Sequence, residues 1–208
     1  MRHLAPTLIG LVLLLVVAGC ATPVTHFSPD LRPAEMDRVA VVVLNKTGQP
    51  VEPGMLRVLE DEFTGSLTGK GYQTVARSDY GVLANEAETQ NDGVTESAQK
   101  FGKLLNSDKV LLVYLTELVQ IYYEGNVIVN GKPRIETQVK VDASARLVEA
   151  EDGRVVWSST LRDVRGSFGT SHPSKRGVIK RVAMALSKEF PDRFTKQQLQ
   201  RMREAYGL

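Results

Sequence analysis

The chain has 208 residues, with 26 Lys and Arg set against 24 Asp and Glu for a formal net charge of +2. Phosphate binding usually needs a clear basic excess, so this balance argues against nucleic acid as the principal partner. A single cysteine, Cys20, excludes an intramolecular disulfide and a CxxC metal site.

Arg2 and His3 form a short positive segment ahead of Leu8 to Val17, which is almost wholly apolar. A run this short suits the core of a signal peptide and falls below the roughly 20 residues of a spanning helix. Val17-Ala18-Gly19-Cys20 resembles the lipobox of bacterial lipoproteins, where small residues precede the cut and the cysteine thiol takes up diacylglycerol. That resemblance implies a signal peptide over residues 1–19 and lipidation at Cys20. Two or three acyl chains, palmitate among them, make such an anchor stable. Ala21 stands where an Asp would retain the protein in the inner membrane, so the expected location is the periplasmic face of the outer membrane.

Residues 20–35 carry three prolines and little periodicity, and read as a lipidated tether. Fully extended, about 15 residues reach about 50 Å. The remainder, 36–208, suits one compact domain. Val39 to Leu44 is a continuous apolar run, consistent with a strand buried on both faces. Asn45 to Pro50 is a loop by composition. A helix begins near Pro53, with Met55 or Leu56, Leu59, Phe63 and Leu67 as its apolar stripe and Glu60, Asp61 and Glu62 mainly turned away. Gly69 and Gly71 close it, and Tyr72 to Ala76 reads as a short strand.

Ser78 to Glu88 predicts a helix capped by Ser78 or Asp79. Asn91-Asp92-Gly93 breaks the chain before a second helix, Thr95 to Leu105, which turns Ala98, Phe101, Leu104 and Leu105 inward. Val110 to Leu115 is the strongest strand, and alternation continues to Tyr122. Asn130-Gly131-Lys132 marks a turn between Val127-Ile128-Val129 and the residues after Pro133. Val139, Val141, Ala143, Ala145 and Leu147 alternate with polar residues, as in a half-exposed strand. Glu151-Asp152-Gly153 turns the chain into Val155 to Ser159. A helix follows on Val178 or Ile179, Val182, Leu186 and Phe190, and Thr195 to Tyr206 makes a second amphipathic segment. The expected fold is α/β: a single domain whose mixed sheet joins βαβ and antiparallel hairpin units, flanked by helices.

Three stretches carry a family resemblance. Arg38 to Gly48 resembles the opening strand and Asn-Thr-Gly loop shared by the curli secretion lipoprotein CsgG, the amino-terminal domain of TolB and the synthase activator LpoB, with PelC as a small relative. Ser107 to Glu117 resembles a second strand of that family, and Ala145 to Trp157 resembles its "R-L-V-D-x-x-T-G-E-V-V-W" hairpin. Leu44 stands where the family often has Pro-Phe, and Tyr114 replaces a usual Gly. The resemblance implies a non-enzymatic, complex-forming lipoprotein without a cofactor. It allows a structural or accessory subunit of an envelope assembly, secretion or polysaccharide-export complex. It also allows an activator of a peptidoglycan synthase (a penicillin-binding protein). A curli-type barrel needs two long hairpins, and only Leu118 to Arg134 could supply one.

Catalytic and metal patterns are missing from the sequence. Gly65 to Lys70 imitates a phosphate loop, but its spacing is short by one and it ends a helix, where the dipole repels phosphate. His26 and His172 lack metal-spaced partners. Two surfaces are candidates for partners. Tyr122 and Tyr123 adjoin the hairpin turn and could anchor an aromatic contact. Lys175, Arg176, Lys180 and Arg181 give the penultimate helix a basic face that could meet anionic headgroups. Association of the domain with copies of itself is a further expectation.

Overall fold

The computed structural model describes residues 21–76, 93–129, 132–167 and 174–206, parts of the 123–137 hairpin and of the last helix by backbone alone. A six-stranded mixed sheet runs in the order β1-β6-β5-β4-β2-β3. The strands are β1 (Val24–Phe27), β2 (Arg38–Asn45), β3 (Gln73–Ala76), β4 (Lys109–Val129), β5 (Lys132–Glu149) and β6 (Val155–Ser167). The helices are α1 (Pro53–Gly69), α2 (Val94–Leu105), α3 (Lys175–Lys188) and α4 (Lys196–Tyr206). β2 is parallel to β3 and β4, and every other pairing is antiparallel. The expected mixed α/β architecture is therefore the one observed.

β2 shows why its run is apolar without alternation. Val39, Val41 and Val43 face a core shared with Leu59, Phe63 and Leu67 of α1 and with Val178, Val182 and Leu186 of α3. Ala40, Val42 and Leu44 face the opposite side, against Ala98, Phe101 and Leu105 of α2. A strand covered on both faces cannot afford a polar residue on either.

Two contacts explain how the helices are held. Phe190, just past α3, meets the Trp157 ring edge-on with centroids 4.9 Å apart, and meets Tyr72 at 5.4 Å. The Tyr72 hydroxyl donates to Pro191 O at 3.1 Å, and burial pushes its pKa far above the usual phenol value. Lys70, the last letter of the phosphate-loop lookalike, turns to the carboxyl end of α3. Its Nζ donates to Phe190 O at 2.7 Å and Lys188 O at 3.2 Å, and pairs with Asp192 at 3.3 Å. An ammonium beside exposed carbonyls at a helix C-terminus is the favourable polarity.

The turn at Gly153 depends on glycine. Its φ is +75°, and a Cβ there would lie 2.0 Å from Thr95 Cγ2 of α2. The β5–β6 turn thus packs directly on the helix, which fixes α2 over β2 and β4.

Three expectations need correcting or placing. Glu60 was expected among solvated carboxylates and is instead buried, at 6% exposure. It lies one turn before Phe63, so it shares the helix face turned inward. The tether over 20–35 is interrupted, because Val24–Phe27 is the edge strand β1, paired along its length with Trp157 to Thr160. The helix expected over 78–88 lies outside the described residues.

Candidate functional site

The surface with most to say about function lies at one end of the sheet. β1 runs antiparallel to β6, with Val24 opposite Thr160 and Phe27 opposite Trp157. Its amino-terminal end therefore points toward Ser167. Thr25 Oγ1 lies 3.0 Å from Ser159 Oγ, and Ser28 N donates to Val156 O at 2.9 Å. Cys20 itself precedes the described residues. From Cys20 to Val24 the chain spans at most about 14 Å.

The β4–β5 ribbon leaves the sheet at this same end. β2 pairs with β4 only as far as Leu115, and β6 pairs with β5 only from Gln138 onward. β4 and β5 continue together from Tyr122 opposite Thr137 to Val129 opposite Lys132. At about 3.3 Å per residue, that two-stranded extension projects roughly 25 Å. The Asn130-Gly131 turn lies outside the described residues, and the strands flanking it do pair. Among the described residues, the paired strands agree with the hairpin that the sequence predicts around this turn.

Tyr122 is 66% exposed at the root of this ribbon, and Val119 and Ile121 are exposed beside it. Tyr123 is described by backbone alone, opposite Glu136. Tyr122 is therefore the one whose exposure the structure establishes.

α3 packs against α1, β5 and β6, and the chain just past it brings Phe190 onto Trp157. Ser174 Oγ caps it by accepting from Gly177 N at 3.0 Å. Arg176, Lys180 and Arg181 are exposed and Lys175 is half-buried. They do not form one free basic patch. Lys180 Nζ reaches Glu62 of α1 at 2.9 Å, so part of the helix's charge is spent fastening α3 to α1.

Below the ribbon a charged cluster holds an irregularity that the sequence does not advertise. β5 and β6 change register between Val141 and Ala143. Asp163 sits there with φ +54°, and its N–H donates to Asp142 Oδ1 at 2.6 Å. Arg165 Nε donates to Asp163 Oδ1 at 2.7 Å, which holds that carboxyl below its usual range. Lys140 Nζ donates to Glu117 Oε2 at 2.7 Å, and its pKa is raised, chiefly by that hydrogen bond. Two ion pairs and the Asp142 carboxylate on a backbone N–H make an arrangement suited to fixing backbone and not to moving protons.

Two further groups escaped the sequence. Arg154 gathers Asp30, Glu149 and Asp152 at 2.5, 3.4 and 3.5 Å, pinning the segment after β1 to the β5–β6 turn. Arg162 of β6 lies beside β1 and lines a pocket with His26 and Thr160. Their signal is three-dimensional, since each brings residues more than a hundred positions apart to one place. Among the described residues, no group of three His, Cys, Asp or Glu is placed to hold a metal ion.

No family model matches the chain, and no curated protein matches it in sequence. Among solved structures, it is similar to the PelC dodecamer from Paraburkholderia phytofirmans, at 18% identity and a TM-score of 0.44, over 80% of this chain and 97% of that one. It is similar to lipoprotein GNA1162 from Neisseria meningitidis at 18% identity and a TM-score of 0.47, over 74% and 96%. The LpoB C-terminal domain from Salmonella enterica matches at 14% identity and a TM-score of 0.35, over 64% and 83%. Identities and scores this low say nothing about what this chain does.

Proposed function

We propose that the chain is a lipid-anchored periplasmic protein of the outer membrane. In this reading it acts by binding, as a non-catalytic structural or accessory subunit of an envelope assembly, secretion or polysaccharide-export complex. The observation that carries this is the closeness of the folded sheet to Cys20. The sheet begins at Val24, so a lipid on Cys20 holds the domain against the bilayer instead of on a long leash. The ribbon projects from that same end, where a membrane-bound partner or a second copy would meet it.

The short connection also argues against the alternative, an activator of a peptidoglycan synthase that must cross the cell wall to its target. About 14 Å of extended chain gives little such reach.

Two measurements test the reading. Wild-type protein should incorporate labelled fatty acid at Cys20, and Cys20→Ala should not; labelling that survives the substitution refutes the anchor. Cross-linking in the envelope through Tyr122 should then recover an assembly, secretion or export component, or the chain itself. Recovery of a peptidoglycan synthase as the dominant product would favour the alternative.

A further inference from the structure

β1 and β6 bring a small set of polar side chains together beside the anchor. Val24 lies opposite Thr160. Strand alternation puts His26 and Arg162 on the side of that pair. With Ala21 and Thr22 they line an open pocket of about 420 Å³, within the size range of small-ligand sites. No carboxylate lines it. Asp163, the nearest acid in sequence, is engaged by Arg165, and Arg162 forms no ion pair among the described residues. α2 packs on β4, β2 and β5, so its cover stops short of this edge.

We propose that this pocket receives the phosphate headgroup of an anionic phospholipid in the membrane that holds Cys20. The inference rests on lipidation of Cys20. Ala21 lines the pocket, and consecutive Cα atoms are about 3.8 Å apart. Acyl chains on Cys20 that lie in the bilayer therefore hold the pocket at headgroup level. There the Arg162 guanidinium can meet phosphate oxygens with two parallel N–H donors. The Thr22 and Thr160 hydroxyls and the His26 ring supply further donors. Val24, 60% exposed, offers an apolar surface toward the glycerol. The anchor keeps the local concentration of headgroups high, which free phosphate in the periplasm does not match. The consequence is orientation: a second contact beside the lipid stops the domain from swivelling about its anchor and fixes which way the ribbon points.

The test uses the full lipidated protein, with intact mass first confirming acylation of the mature Cys20. A mass without lipid overturns the premise. With lipid confirmed, the protein is placed in phosphatidylcholine vesicles with or without phosphatidylglycerol, and the rate of His26 acylation by diethylpyrocarbonate is read by peptide mass spectrometry. Phosphatidylglycerol should slow the reaction several-fold, because a headgroup seated in the pocket covers the His26 ring. Arg162→Ala should abolish the difference, whereas Lys180→Ala should keep it. Equal rates in both vesicles, protection that survives Arg162→Ala, or protection lost in Lys180→Ala would each overturn the site and leave the anchor reading standing. The last two would report general surface charge or surface pH. Inorganic phosphate added to phosphatidylcholine vesicles should give no protection; full protection by it would replace the lipid with a soluble anion.

Discussion

Lys70→Met isolates the clamp between α1 and α3. The substitution keeps an aliphatic stem in a site where the lysine side chain is 18% exposed, and removes the ammonium that caps Lys188 O and Phe190 O. Hydrogen bonds from a charged donor contribute about 1.5 to 3 kcal/mol each, part of which water recovers once the carbonyls are freed. Loss of the cation at the helix terminus adds about 0.3 to 1 kcal/mol. The Asp192 pair adds little, because that carboxylate is 69% exposed. The expected loss is about 3 kcal/mol, which for a domain of this size lowers Tm by about 6 to 12 °C. Thermal unfolding followed by circular dichroism measures it. Lys188→Met, which removes an exposed cation from the last turn of α3 and leaves the clamp in place, should cost no more than about 1 kcal/mol. A Lys70→Met protein that melts with the parent would mean that the Phe190 ring contacts alone hold α3, and the clamp argument would be wrong.

The other predictions probe packing, the edge strand and pH. Gly102→Ala should destabilise by about 1 to 2 kcal/mol, since overpacking outweighs the gain in helix propensity; its Cβ would lie 2.3 Å from Ala150 Cβ. Gly65→Ala meets nothing within 4 Å and should stabilise by about 0.5 to 1 kcal/mol; urea melts giving both substitutions the same sign would refute the packing. Thr25→Val should leave the buried Ser159 hydroxyl without its partner, at about 1 to 2 kcal/mol, and speed amide exchange through β1. Exchange over 24–27 already as fast as in a free peptide would refute the edge strand. The Asp163 carboxyl is held below its usual range by Arg165. A depressed carboxylate contributes stability above its unfolded pKa and loses it as pH falls through the folded value. An NMR titration should therefore place Asp163 below an ordinary aspartate, and Arg165→Gln should raise it.

The sequence by itself determined whatever depends on local chemistry. The unbroken apolar run of β2 announces burial on both faces, the alternation from Val139 to Leu147 announces a strand with one wet side, and Asp152-Gly153 announces its turn. Cys20 behind a short apolar segment resembles a lipobox, which is why the proposed anchor starts from residue type. Tertiary structure decided everything that joins distant residues. β1 is only four residues of mixed polarity, and no periodicity marks it; backbone pairing with β6 makes it a strand. Glu60 is charged, yet its place one turn before Phe63 carries it inside. Lys70 reads as part of a phosphate loop until the end of α3 arrives beside it. Arg162 has no local signal at all, and becomes a candidate only because β6 sets it in one pocket with Ala21, Thr22 and His26. Local patterns encode which faces are wet and where the chain turns, whereas partners far along the chain are chosen by how those faces pack.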